Sequence, residues 1–298
     1  MSWIGLADQA GGRFSATGLG GDTRPSPALA APDNPEALLA TGTLLLETRL
    51  SSNGRLQTLL QMHRSHPFNS GLSLQALPQG GIVLIQTQGQ EVQHVTLPYR
   101  PNDRTDTLRI GFSWDAPRRW GQLTLERPES DVVHSIAVPS PHPLWLADLR
   151  TMITDARQRR MDKEVDFIAV SSRIEPVGPM PGLTGHLPVS TPTGFRDAGH
   201  LRRGDTVHTD GAGAVPVLHT VSRTVPARGS FRPVRLRAPY FGLRQDVTVA
   251  PEQRLVIQGS KVEYMFGQEA VLVPARHLIN GVAAAAMWFE AKRKDGER

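Results

Sequence analysis

His200, His208 and His219 fall within twenty residues of one another, and three imidazoles that close could converge on a transition metal. Their separations of eight and eleven residues do not stack two ligands on one helical turn, so they read better as strand or surface histidines. The two histidines of "HRSHP" (63–67) read as solvated loop residues. Asp103, Asp106 and Asp115 offer carboxylates, but calcium needs several oxygens at one point and these three are scattered. Trp114 and Trp120 flank the turn "DAPRR" and could form a sugar-stacking platform, although indoles in a sandwich more often pack the core or its rim. "GGRFSATGLGGD" (11–22) follows no strand and has no lysine, so it is not a phosphate loop. The chain has no cysteine, which excludes disulfides and thiolate metal sites. No metal and no cofactor are expected.

The elements that must carry these residues are mostly strands. Between about 40 and 140, eight short segments run from "GTLLLETRL" to "VVHSIAV", divided by turns such as "SSNG", "PQGG" and "RPND". Alternation is clear in Leu72-Leu74-Ala76 and in Leu108-Ile110-Phe112-Trp114. This spacing predicts an antiparallel sandwich over 39–142. Residues 1–38, rich in Gly, Pro, Ala and Ser, read as an extended arm that Trp3 and Ile4 could dock. Over 143–163, Trp145, Leu149, Met152, Ile153 and Ala156 keep helical spacing, with Arg157, Arg159, Arg160 and Lys163 toward the far end. A proline-stiffened linker, "EPVGPMPG" (175–182), completes a connecting region over 143–181. From Gly182 the chain turns strand-rich again, with "VPVLHTVSRTVP" and "VEYMF" among the expected strands. Residues 283–298 read as a charged tail.

Two resemblances follow from these segments. The strand order of the first half, and "LRIGFSWDAPRRWGQLTLE" within it, resembles a laminin G-like or concanavalin A-like jelly roll. In the second half, "TPTGFRDAGHLRRGDTVHT", "FRPVRLRAPYFG", "VTVAPEQRLVI" and "EAVLVPARHLINGV" resemble, in order, the blocks of a bacterial Hint domain, the hedgehog/intein fold, over 182–282. The resemblance implies self-cleavage chemistry. A Cys or Ser at the first Hint position attacks the preceding carbonyl, exchanging amide for thioester or ester, and a histidine in a later block protonates the leaving nitrogen. Here the first position falls on Gly182, which has no nucleophile, and the histidine position falls on Gln253, which transfers no proton near neutral pH. Thr184, two residues on, is a weak alternative nucleophile. Asn280-Gly281 reads as a turn rather than as the terminal asparagine of splicing forms, and the last family strands look missing or altered. The expectation is a degenerate, non-cleaving domain, and a protein that is not an enzyme.

Charge narrows the partners. The net charge is +5, and residues 1–150 carry 12 Lys+Arg against 13 Asp+Glu, so the surplus lies in the second half. It is mostly arginine, dispersed rather than clustered with aromatics, which argues against a nucleic-acid groove. In "GSFRPVRLRAPYFGLRQD", Arg232, Arg235, Arg237 and Arg244 interleave with Phe231, Tyr240 and Phe241 and form a candidate protein-binding surface. The alternative is that Val234 and Leu236 point inward and the arginines point into water. No window is apolar enough to span a membrane, and no Sec signal is read at the start, so a cytoplasmic location is expected with non-Sec export left open. The reading is a non-catalytic protein-binding or assembly subunit; the alternatives are an autoprocessing Hint protein and a glycan-binding sandwich.

Overall fold

The computed structural model describes residues 2–19, 34, 37–50, 55–66, 68–99, 107–128, 130, 132–178 and 180–287. It divides into two units, Met1–Pro179 and Met180–Arg298.

Among the described residues the first unit has fourteen strands and one α-helix. In chain order they are β1 (Trp3–Asp8), β2 (Gly11–Phe14), β3 (Leu38–Leu39), β4 (Thr41–Arg49), β5 (Gln57–Arg64), β6 (Ser70–Ala76), β7 (Ile82–Gln88), β8 (Glu91–Leu97), β9 (Thr107–Asp115), β10 (Trp120–Glu126), β11 (Val133–Ala137), β12 (Leu144–Trp145), α1 (Leu146–Thr154), β13 (Arg159–Met161) and β14 (Val165–Ser171). A seven-stranded sheet, β11-β10-β9-β4-β14-β1-β2, faces a five-stranded sheet, β13-β5-β6-β7-β8. Every pairing in both is antiparallel.

Period-two alternation builds the core. Leu44, Leu46, Ile110, Phe112, Leu123 and Leu125 face inward from one sheet, and Leu60, Leu72, Leu74, Ile82 and Leu84 from the other. The other face of the larger sheet is also largely covered. There Glu47, Arg109 and Glu126 are register partners across three strands, all buried, with Arg109 Nε 3.4 Å from Glu47 Oε2. The segment after β14 folds over one end of this face: the Glu175 amide donates to Thr43 Oγ1 at 2.9 Å, and Ser171 Oγ donates to Glu175 Oε1 at 2.6 Å.

Three sequence expectations change here. The start of the chain is not an arm: Trp3–Ala7 pair with β14, and Asp8 Oδ1 accepts the amides of Ala10 and Gly11 to close the β1–β2 turn. Residues 20–33 lie outside the described residues. The helix covers only 146–154; Asp155, extended at φ −113°, ends it and starts a turn through its bond to the Arg157 amide. Arg159 therefore lies on a strand, yet its buried guanidinium still donates to the last-turn carbonyls of Met152 (3.0 Å) and Ile153 (2.7 Å), and to Asp8 O (2.9 Å). The expected cation at the helix C-terminus arrives through tertiary structure.

The second unit has smaller sheets. Its elements are β15 (Pro188–Thr191), β16 (Gly194–Asp197), β17 (Thr206–Thr209), β18 (Gly213–Pro216), β19 (Val234–Leu236), β20 (Val247–Val249), β21 (Arg254–Gln258), α2 (Ser260–Phe266), β22 (Ala270–Pro274) and β23 (Ala284–Ala286). Hairpins β15–β16, β17–β18 and β21–β22 surround a three-stranded sheet, β20-β19-β23. Val234, Leu236, Val249, Ala275 and Ala284 form its core. The segment "VEYMF" is helical rather than a strand, "VPVLHTVSRTVP" is a strand only through Pro216, and β23 pairs with β19, so the chain past 282 is not wholly a tail. Residues 288–298 lie outside the described residues.

Candidate functional site

The Hint-like positions converge around one turn. Leu183 bridges Val249, and the Ala250 amide donates to the Gly182 carbonyl at 3.2 Å. Ala250 opens a turn that closes with the Gln253 amide on the Ala250 carbonyl, 3.0 Å. From its far side the turn is held by the Ala275 amide on Gln253 O (2.8 Å) and the Arg276 amide on Pro251 O (3.0 Å). The backbone thus assembles a frame in which residue 182 meets the turn carrying residue 253. At one position there is no side chain. At the other, Gln253 Nε2 donates to the neighbouring Arg254 carbonyl, 3.1 Å. Thr184 is committed elsewhere, its hydroxyl donating to Thr248 O at 2.6 Å. Asn280 builds a turn: its Oδ1 accepts the amides of Val282, Ala283 and Ala284, and Gly281 adopts φ +75°.

"GFRDAGHLRRGDTVHT" folds as its residue types suggest. β16 ends at Asp197, a short 3-10 turn spans Ala198–His200, and Gly204 at φ +93° turns the chain into β17. Asp205 Oδ2 accepts the Arg202 amide (2.8 Å) and Arg196 Nη1 (2.9 Å), which together hold its carboxyl below the usual carboxylate range.

The remaining candidates separate on inspection. His200, His208 and His219 are exposed, with His208 Nδ1 3.0 Å from Ser190 Oγ. Among the described residues no three His, Asp or Glu side chains group to hold a metal. Asp103 and Asp106 lie outside the described residues. The tryptophan platform does not form: Trp114 is wholly buried, stacked on Phe112 at 5.2 Å, with its indole N–H donating to Leu39 O at 2.9 Å. Of the two, Trp120 alone reaches solvent, at 41% exposure. Sequence reasoning missed a small, largely apolar cavity between β6, β7 and α1, lined by Met62, Ser70, Leu72, Gln86, Trp145 and Asp148. There the buried Asp148 carboxylate accepts Ser70 Oγ (2.5 Å) and pairs with Arg64 Nε (2.9 Å), and the space left holds about one water molecule. A sugar ring does not fit it.

On the arginine-rich segment the inward/outward alternation holds, with Val234 and Leu236 buried and Arg235 and Arg237 exposed. Phe231 is buried, with the Arg223 guanidinium 5.6 Å from its ring, so it cannot contact a partner. Arg235 is engaged: Nε and Nη2 both reach Asp246 Oδ2, at 2.9 and 2.7 Å. Asp246 in turn accepts the Ala238 amide, and that bond, then Arg235, keep its carboxyl below the usual range. Arg237 Nη1 donates to the carbonyls of Gly281 and Val282. Arg232 is half-buried. Tyr240, Phe241 and Arg244 stay open to solvent, on a tight turn where Phe241 takes the left-handed φ of +56°.

Comparison with known proteins accords with this architecture. Residues 181–292 match a family model described as a Hint domain, ten residues beyond the end read from the sequence. The second unit is a Hint-like fold. No curated protein matches the chain. Among solved structures the chain is similar to the Ruminococcus gnavus IT-sialidase CBM40 bound to α2,6-sialyllactose, at 13% identity and a TM-score of 0.33, covering 59% of this chain and 93% of that one. It is similar to a leech intramolecular trans-sialidase at 14% identity and a TM-score of 0.35, covering 59% of this chain and 27% of that one. It is also similar to the LG1–3 region of the laminin alpha2 chain at 13% identity and a TM-score of 0.29, covering 67% of this chain and 33% of that one. Among the described residues no helix is long and apolar enough to cross a membrane.

Proposed function

We propose that the Hint-like unit does not cleave its own chain, and that the protein acts by binding another protein as an assembly subunit. The observation that carries this reading is the empty frame. Gly182 and Gln253 stand at the two positions where the chemistry needs a nucleophile and a proton donor, and the backbone around both is intact. For an acyl shift at the Pro181–Gly182 peptide, the side chain of residue 182 must close a five-membered ring on the Pro181 carbonyl, and glycine has no atom to close it. Thr184 would have to leave its bond to Thr248 O before its hydroxyl could attack. Loss of either group alone removes several powers of ten in rate. The solvent-facing Tyr240, Phe241 and Arg244 then serve as binding surface on a fold retained for its shape.

The test is the intact mass of purified full chain after incubation with dithiothreitol or hydroxylamine, which intercept thioesters and esters. One full-length species is expected. A fragment of residues 1–181 overturns the reading and restores autoprocessing.

A further inference from the structure

Two arginines of the first unit are held as parts of the fold. Arg159 gives its guanidinium to three carbonyls, and Arg109 lies between Glu47 and Glu126. Arg64, the last residue of β5, is held differently. Its Nε stands 2.9 Å from Asp148 Oδ1 but outside hydrogen-bond geometry, and among the described residues nothing accepts its two terminal nitrogens. Its guanidinium carbon lies 5.6 Å from the centroid of the Trp145 ring, and Phe68 is tilted against the same ring at 6.2 Å. The Arg64 side chain is 27% exposed and that of Asp148 only 8%. Leaving this place costs Arg64 one ill-aligned ion pair and one ring contact, whereas Arg159 would abandon three carbonyls.

Without that guanidinium the same place is a lined recess. Its charge is the Asp148 carboxylate, oriented by Ser70 Oγ and set in the first turn of α1, where the helix dipole favours an anion. Trp145 forms a wall, and Met62, Leu72 and Met152 add apolar lining. The Trp145 indole nitrogen is buried, and its N–H has no acceptor among the described residues. A carboxylate beside an aromatic face in an apolar recess selects an organic cation. A guanidinium suits it best, because its planar fork bonds a carboxylate at two points, stacks on an indole and is weakly hydrated; an ammonium does none of these as well. A buried carboxylate paired through a single poor contact keeps much of its desolvation cost, so a cation that pairs it better is favoured.

We propose that the Asp148–Trp145 recess binds a guanidinium group presented by another molecule, and that Arg64 fills it as an internal stand-in. The site lies wholly in the first unit, so it stands or falls independently of the Hint-like frame.

The experiment titrates the full chain, labelled with nitrogen-15, with methylguanidinium chloride and follows the indole N–H signal that is missing from Trp145→Phe. A saturable shift is expected in the wild type. Its dissociation constant should be at least about tenfold lower in Arg64→Ala, since a site filled by its own arginine for about nine-tenths of the time loses that factor in apparent affinity. Adding Asp148→Asn to Arg64→Ala should raise the constant at least about tenfold, because the charge-assisted bonds are gone. Thermal melts confirm that each variant folds, and Arg64→Met, which keeps an apolar stem, replaces Arg64→Ala if that variant does not. Failure of both to fold would make Arg64 structural and overturn the proposal. So would the absence of a saturable shift in the Arg64 variant, equal affinity in variant and wild type, or an equal response to tetramethylammonium chloride, which carries the charge but no donor.

Discussion

The non-cleaving reading depends on glycine being dispensable to the frame at position 182, and the structure makes that testable. A Cβ built on Gly182 meets only Met180 O, at 3.8 Å, and the residue is not among the glycines at positive φ. Gly182→Ala should therefore be accepted without strain and should stabilise the second unit by about 0.4–1 kcal/mol, because alanine restricts the unfolded chain. For a unit of this size that raises Tm by roughly 1–5 °C. Gly182→Cys puts a thiol on the same backbone. The acyl shift becomes formally available: the C–N bond of Pro181–Gly182 breaks, a C–S bond forms, and the freed nitrogen takes up a proton. Adding Gln253→His restores a proton donor, a contribution of roughly 10²–10⁴ in rate. The assay is intact mass of the full chain with dithiothreitol over days. Expected are no fragment from the wild type or Gly182→Ala, slow release of 1–181 from Gly182→Cys, and release at least about a hundredfold faster from the double variant. A loss above about 1 kcal/mol in Gly182→Ala would show that the frame requires glycine there, so that the missing nucleophile says nothing about lost chemistry. A folded double variant that never cleaves would refute the assignment of these two positions.

In the sandwich, Trp114→Ala should cost about 3–5 kcal/mol, the range for emptying a packed aromatic site, whereas the exposed Trp120→Ala should stay within about 0.5 kcal/mol; chemical denaturation of the two variants compares them, and equal costs would refute the burial. Arg159→Met should cost about 2–4 kcal/mol by leaving three carbonyls without their donor; a loss under 1 kcal/mol in the same assay would refute its role in tying α1 to β1. Stability of the second unit should depend on acid through Asp205 and Asp246, whose carboxyls the backbone amides of Arg202 and Ala238 hold below their ordinary 3.8. A depressed folded-state pKa gives stability that is fully present above the ordinary value and is lost as pH falls through the folded one, so Asp246→Asn should lower Tm at pH 7 and flatten the acid limb of a Tm-against-pH curve below about pH 4, where the two proteins should converge.

What could be read from the sequence was whatever local periodicity determines. Alternation in Leu44-Leu46 or Leu108-Ile110-Phe112 needs only a two-sided sheet, and the strands formed there. What could not be read depended on partners distant in the chain. Gly12 looked like part of a flexible arm, but a Cβ there would lie 1.9 Å from Ile153 O, so this glycine is what lets α1 rest on β2. Packing was the favoured reading of Trp114 over a platform, but the sequence did not show that Gly42 on the neighbouring strand makes room for it; a Cβ on Gly42 would meet its ring at 2.7 Å. "VEYMF" suggested a strand by residue type, yet the glycines on either side of "SKVEYMF" bound a single helical segment. The same contrast governs function. The block order of the Hint-like unit could be read because its turns and strands are local. Arg235 could not be read as a structural arginine, because its partner Asp246 lies eleven residues away across the β19–β20 connection. Reversing its charge would set a glutamate against Asp246 and weaken the fold itself. A charge-reversal test of partner binding therefore belongs at Arg244, which is exposed and enters none of the ion pairs found among the described residues. Arg244→Glu should weaken association with an acidic partner by about tenfold while leaving the melting temperature unchanged, a separation of binding from stability that Arg235→Glu cannot give.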